Sequence, residues 1–356
     1  MLQTQYFLGA NSPTGFYSLY HELSDPARMN ALYILKGGAG CGKSSLMRRV
    51  ARHAQAAGLD TQLILCSGDP DSLDAVLLPE KGVAVVDGTA PHVVEANCPG
   101  AVETYVDLSR FYDRQALQPV KAELLAATAE YKGHYKQVYR CLGAAGELRR
   151  NLTEEAESEE LRQRLHKRAK GIIGRELKRS GTGQGRVEQR FLSAVTCRGC
   201  LTLWDTVSAQ ADRVYELADS QGMAHHLLAP ILTAALAAGH DAVACPDPMA
   251  PDRLAHLILP GLSLAFVTST AEQPWPHRAY RRLRLDAMAD PEERRVNRPR
   301  LRFTRKVADA LLSEGVAGLQ QAKAAHDKLE ALYNSHVDFQ GVYELADQLA
   351  DQILSL

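Results

Sequence analysis

The chain has 356 residues, too many for one ordinary core and enough for two. With 46% hydrophobic residues, 23% charged and a formal net charge of -1, it carries no global charge excess that would draw it to nucleic acid or a membrane surface. No stretch reaches the roughly 18 apolar residues of a membrane span, and the longest apolar run, Leu227 to Ala238, suits a core helix. The opening Met1 to Tyr6 lacks the basic start and apolar core of a signal peptide, and the seven cysteines are scattered like free thiols of a reducing compartment. Both features point to the cytoplasm.

In chain order, the first strong element is the apolar run Ala31 to Lys36, read as a buried parallel strand. It runs into Gly37-Gly38-Ala39-Gly40-Cys41-Gly42-Lys43-Ser44, a complete G-x-x-x-x-G-K-[ST] phosphate-binding loop, and then, from Ser45, into an amphipathic helix ending near Gly58. Glycines let successive N–H groups point at phosphate oxygens, and the helix dipole adds attraction. Residues 37–45 are therefore the expected nucleotide-binding set, with Lys43 on the β- and γ-phosphates and Ser44 on Mg²⁺.

Further strands are expected at 60–66, 82–87 and 102–108, with a short helix capped at Ser72 between the first two. The alternation of strands and helices implies a parallel sheet flanked by helices. Segments 117–150 and 154–178 carry apolar residues at helical spacing and read as a helical hairpin, and 302–334 with 340–354 repeats that design. Between the halves, 179–185 is a mobile linker on composition alone.

The second half echoes the first. Phe7 to Tyr20 aligns with Phe191 to Trp204, Asp71 to Pro79 with Asp252 to Pro260, and Val83 to Thr89 with Leu264 to Thr270, at a spacing of 181 to 184 residues. Two α/β lobes of similar fold are expected: domain 1–178, linker 179–186 and domain 187–356. Opposite the phosphate loop stand Asp219, Ser220, Gln221, Gly222, Met223, Ala224, His225 and His226. An aspartate repels phosphate, the lysine has become an imidazole, and the metal hydroxyl is gone. Asp87, at the end of a buried strand where P-loop proteins hold Mg²⁺, is matched by Thr268. The second lobe reads as a degenerate copy.

The opening Phe7 and Gly15 to Leu19, the loop 36–45, Cys66 to Asp74, and Val86 to His92 together resemble a poorly characterised bacterial family of tandem P-loop proteins, variously ATPase-like or nucleotide-kinase-like. The likeness covers nearly the whole chain and implies a cytosolic ATP-binding protein with duplicated domains. In that family the second lobe commonly keeps a phosphate loop of its own, so this sequence departs from a two-site pattern.

The guanine-reading Asn-Lys-x-Asp segment and the transporter signature Leu-Ser-Gly-Gly-Gln are absent, which favours ATP over GTP. Many ATPases place a glutamate after the metal aspartate, but here Gly88 follows, leaving His92, Glu103 and Asp69 to orient water. Asp107, matched to Asp286, reads as structural. Asp69, Asp71 and Asp74 are candidate acceptor-site residues if the protein is a kinase. A basic cluster (Arg278, Arg281, Arg282, Arg284, Arg294, Arg295, Arg298, Arg300, Arg302, Arg305, Lys306) reads as a solvated face or as the source of an arginine for the γ-phosphate. Cys197-Arg-Gly-Cys200 alone is a weak metal signal, and His225 with His226 diverge too far on a helix to share a ligand.

The expected activity is Mg-dependent ATP hydrolysis in the first lobe, with Lys43, Asp87 and His92 as catalytic candidates, Ser44 and Asp87 holding Mg²⁺, and the second lobe regulatory or structural. The alternatives are a small-molecule or nucleotide kinase, and a non-catalytic scaffold binding a protein through its helical hairpins; nucleic acid and membrane are not expected partners.

Overall fold

The computed structural model of the chain describes residues 2–23, 25, 28–179, 183–288 and 291–356, and of residues 291–298 the backbone alone. The first half contributes strands β1 (Gln3–Tyr6), β2 (Gly9–Ser12), β3 (Gly15–Ser18) and β4 (Ala31–Lys36), helix α1 (Lys43–Ala56), then β5 (Thr61–Leu65), β6 (Leu73–Leu78), β7 (Val83–Asp87) and β8 (Glu103–Asp107). Helices α2 (Arg114–Leu117), α3 (Lys121–Ala156) and α4 (Glu159–Glu176) follow. The second half repeats the order: β9 (Val187–Gln189), β10 (Ser193–Thr196), β11 (Gly199–Thr202), α5 (Trp204–Ser208), β12 (Arg213–Ala218), α6 (Ala224–Ala237), β13 (Ala242–Asp247), β14 (Ala250–Leu259), β15 (Leu264–Ser269), β16 (Arg281–Arg284), α7 (Pro291–Asn334) and α8 (Phe339–Ser355).

The two six-stranded sheets have the same topology. Their orders are β1-β5-β6-β7-β4-β8 and, read from the matching edge, β9-β13-β14-β15-β12-β16. Each is mixed and not, as the sequence suggested, parallel: β6 and β14 run antiparallel to both neighbours. The expected short helix at Ser72 is in fact the start of β6, whose six residues are all buried. The cause lies in the connections. Residues 66–72 and 79–82 are too short for the crossover of a dozen or more residues that a parallel return needs, and continuous burial in so short a run does not distinguish strand from helix.

Repeat-equivalent residues meet at a local two-fold axis. Phe7 N–H donates to Phe191 O and Phe191 N–H to Phe7 O, each at 2.9 Å, which is the reciprocity of a symmetric dimer built into one chain. The hairpin turns beside it carry Gly15 and Gly199 at φ +110° and +99°, where a Cβ would be strained.

The long helices pair across the repeat, not as hairpins within each half. α3 lies along α7, where Gly315 and Gly318 let the helices close on Leu142 and Val138: a Cβ there would stand 3.0 Å and 2.8 Å from those side chains. α4, from the first half, buries Leu161, Leu165, Ala169 and Ile172 in the core of the second sheet. α8, from the second half, buries Val342, Ala346, Leu349, Ala350 and Ile353 in the core of the first. Polar contacts fix both. Arg49 of α1 grips both carboxylate oxygens of Asp347, while Glu176 accepts from Tyr215 Oη (2.5 Å) and Arg213 Nη1 (2.6 Å) on β12. Packing thus crosses the division at residues 179–186, of which 180–182 lie outside the described residues.

Candidate functional site

The centre of the first sheet positions the phosphate loop. β4 lies between β7 and β8, parallel to both, with Leu35 in register with Asp87 and Lys36 with Asp107. The chain leaves β4 at Lys36 and turns through Gly40 (φ +69°) and Gly42 (φ +87°) into α1. Left-handed backbone at two positions is what the glycines supply. Lys43 Nζ folds back to donate to Gly37 O (2.9 Å) and Gly38 O (2.8 Å), and lies 3.6 Å from Asp87 Oδ2. Among the described residues, Gly38 N–H meets Tyr112 Oη and Lys43 N–H meets the Cys41 thiol, while no acceptor faces the main-chain N–H groups of residues 39–42, 44 and 45. Cys41 is buried inside the loop, and burial pushes its thiol pKa up.

The oxygens expected to hold Mg²⁺ are both present. Ser44 Oγ accepts from Leu73 N–H (3.0 Å), which ties the loop to the start of β6. Asp87 Oδ1 accepts from Thr89 N–H and Oγ1, leaving Oδ2 toward Lys43. Two hard oxygen donors beside a lysine suit magnesium.

Residues from the C-terminal helices close on the loop, which sequence did not reveal. With its amide nitrogen facing the carbonyls, Asn334 donates to Gly40 O (2.9 Å), Phe339 and Val342 line Gly42, and Tyr112, its ring tilted against that of Tyr333, donates to Ala39 O (3.3 Å). Beyond Tyr112, a cleft of about 410 Å³ is walled by Arg110, Phe111 and residues 335–338.

The second lobe provides an internal comparison. Leu217 pairs with Thr268 as Leu35 pairs with Asp87, which fixes Thr268 as the equivalent of Asp87. Gly222 (φ +75°) keeps the backbone turn of Gly40. Here the amides are taken: the buried Asp219 carboxylate accepts from Gln221 N–H (2.9 Å) and Ala224 N–H (2.6 Å), and Asp286 accepts from Ser220 N–H (2.9 Å). Burial pushes the Asp219 carboxyl up to about 6 against the pull of those amides. The loop is filled by its own anion. His225 Nδ1 accepts from Leu254 N–H and His226 pairs with Glu157, so the two imidazoles do separate work.

The other sequence candidates divide. His92 is buried and its Nε2 stands 3.3 Å from Asp74 Oδ2, which also accepts from Tyr20 Oη (2.9 Å). Burial opposes a charge on His92, but the Asp74 carboxylate outweighs it and holds the imidazole pKa above its ordinary value. Asp69 is turned inward to Ser72 Oγ and Asp71 N–H and faces Lys323 at 3.4 Å, and Asp71 pairs with Arg198. Glu103 accepts from Cys98 N–H. Asp107 aligns by register with Arg284, not with Asp286 as the sequence match had it: Lys36 faces Asp107 where Ala218 faces Arg284.

Among the described residues, no side chain of the basic cluster is hydrogen-bonded or ion-paired to the first loop. Arg282 pairs with Glu216, Arg300 with Glu155, and Arg305 reaches Ser220 of the second loop; the side chains of Arg294, Arg295 and Arg298 lie outside the described residues. Cys197 and Cys200 flank a hairpin turn as free thiols. Among the described residues no helix is long and apolar enough to cross a membrane. A scan of protein families, a search of curated proteins and a search of solved structures each returned no match.

Proposed function

We propose that the first lobe binds Mg-ATP and hydrolyses it slowly as a conformational switch, with the second lobe a regulatory or structural partner in the manner of the tandem P-loop family it resembles. The observation that carries this reading is the contrast between the loops: one fold, twice, with the amides of residues 39–42, 44 and 45 unpaired beside Lys43 in one copy and the row filled by Asp219 in the other. Unpaired amides at a helix N-terminus, closed by an ammonium group, form an anion site.

In this reading the amides of residues 38–45 cradle the phosphates, Lys43 exchanges its carbonyl partners for β- and γ-oxygens, and Ser44 with Asp87 holds the metal, which supplies charge neutralisation at the transferring phosphoryl. The cleft beside Tyr112 lies past the end of β8, has the volume of a small-ligand site, and is the place for the base. Hydrolysis is favoured over transfer to an acceptor because Asp69, Asp71 and Asp74 are each engaged within the chain.

Calorimetry with Mg-ATP tests the binding step. Intact protein takes up one nucleotide per chain, and Lys43→Ala loses roughly 10- to 100-fold in affinity, the worth of a charge-assisted contact. Labelled ATP then distinguishes the outcomes: free phosphate supports the switch, label on an added nucleoside or nucleotide supports a kinase, and no Mg-dependent uptake refutes the assignment.

A further inference from the structure

We infer that Cys66, Asp74 and His92 form a binding site for one divalent transition-metal ion, best suited to zinc, in the core of the first lobe. The three donors come from separate places at one end of the sheet: Cys66 directly after β5, Asp74 on β6, and His92 in the loop after β7. Their ligand atoms lie within 4.8 Å of one another. Tetrahedral zinc with bonds of about 2.0–2.3 Å sets donors roughly 3.3–3.8 Å apart, so a shift of about 1 Å closes the set.

The surroundings are those of a ligand set and not of a finished polar network. His92 is 8% exposed, and its Nδ1 is a buried atom with no hydrogen-bond partner. Nε2, at 3.3 Å from Asp74 Oδ2, already has the donor spacing of a tetrahedral ion and is the nitrogen placed to ligate it. Phe16 and Tyr20 hold the ring on two sides, at centroid distances of 5.2 Å and 4.6 Å. Tyr20 Oη donates to Asp74, as outer-sphere partners do for metal-bound carboxylates.

The charge balance also fits. On binding, the Cys66 thiol gives up one proton to solvent, His92 gives up any proton that the Asp74 carboxylate holds on it, and a dication with one thiolate, one carboxylate and a neutral imidazole is uncharged overall, which suits a buried position. Sulfur, nitrogen and oxygen together favour zinc over magnesium or calcium. Three protein donors leave a fourth position for water.

The site belongs to the lobe whose phosphate loop is intact. By strand register Asp74 corresponds to Ala255 of β14, and Cys66, one residue past β5, corresponds to Asp247. The second lobe thus lacks the Asp74 carboxylate and carries a carboxylate in place of the Cys66 thiol. Leu73, which bonds Ser44, adjoins Asp74, and Asp87 lies five residues before His92, so an ion here ties β5, β6 and the Asp87 loop together.

The test uses the full chain without nucleotide and cobalt(II) as the spectroscopic probe, with zinc competing it out. One cobalt per chain with a thiolate charge-transfer band is expected. Cys66→Ser removes the band and weakens zinc at least about 100-fold, and Tyr20→Phe, which leaves all three ligands, weakens it roughly 10-fold. Cys197→Ser and Lys43→Ala leave the band unchanged, which separates this site from the hairpin thiols and from the nucleotide reading. Circular dichroism of each metal-free variant confirms its fold, and His92→Gln serves if Cys66→Ser is unfolded. Absence of a thiolate band in wild type, or its survival in Cys66→Ser or His92→Gln, overturns the proposal.

Discussion

Exchange of α4 and α8 between the halves makes the phosphate-loop lobe depend on the far end of the described chain. Ile353 of α8 is 1% exposed in the first core, and Leu165 of α4 is 0% exposed in the second. Ile353→Ala removes three buried carbons at a site surrounded by α1 and the first sheet, and the cost of such a deletion is about 2–5 kcal/mol. A loss of about 3 kcal/mol is expected for each variant. The location of the loss is the sharper quantity. By amide hydrogen exchange, Ile353→Ala speeds opening of α1, β5 and β6, some 280 residues earlier in the sequence, and Leu165→Ala speeds opening of α6, β12 and β15. If Ile353→Ala instead loosens only α7 and the second sheet, the crossed packing is wrong.

Three further outcomes are expected. Gly40→Ala forces φ +69° on a residue with a side chain and sets its Cβ 2.6 Å from the Asn334 side-chain amide and 3.0 Å from Glu330 O; denaturant titration should show a loss of at least about 1–2 kcal/mol, which Asn334→Ala relieves only in part because the Glu330 carbonyl stays. Asp219→Ala strips the acceptor from two amides and costs about 1–3 kcal/mol; added sulfate should then raise the unfolding midpoint of this variant more than that of the parent, since it binds the vacated loop, and equal shifts would refute the internal-anion account. Glu176 is buried, which would raise its pKa, but hydrogen bonds from Tyr215, Arg175 and Arg213 more than offset this and hold it below the usual carboxylate range. A depressed folded-state pKa contributes stability above the unfolded value near about 4.3, and that contribution is lost as pH falls through the folded value. Acid should therefore release α4 from β12 in the parent and leave Glu176→Gln, already weakened, with a flatter profile in hydrogen exchange.

Much of the site was legible because its information is local. Strand, glycine turn and helix occupy consecutive residues, and the decay of the second loop could be read by laying Asp219 over Gly37. Two kinds of fact were not local. β6 was misread as a helix because six buried residues in a row suit either form, and only the length of its connections excludes a parallel return. The partner of each long helix was also unreadable: amphipathic spacing shows that α4 and α8 have an apolar face, but the two cores, being copies, offer each helix nearly the same surface. Cys66, Asp74 and His92 lie eight and eighteen residues apart, and only the sheet brings them to one end.

The crossed helices also bear on how the molecule is made. A ribosome that has finished residues 1–178 has delivered a sheet with one flank bare, because the segment that shields it, Phe339–Ser355, is still to be made, while α4, already in hand, has nothing yet to cover. Neither half matures first. Completion of the first core thus awaits the last turns of α8, and a nascent chain stalled before them exposes greasy surface to chaperones.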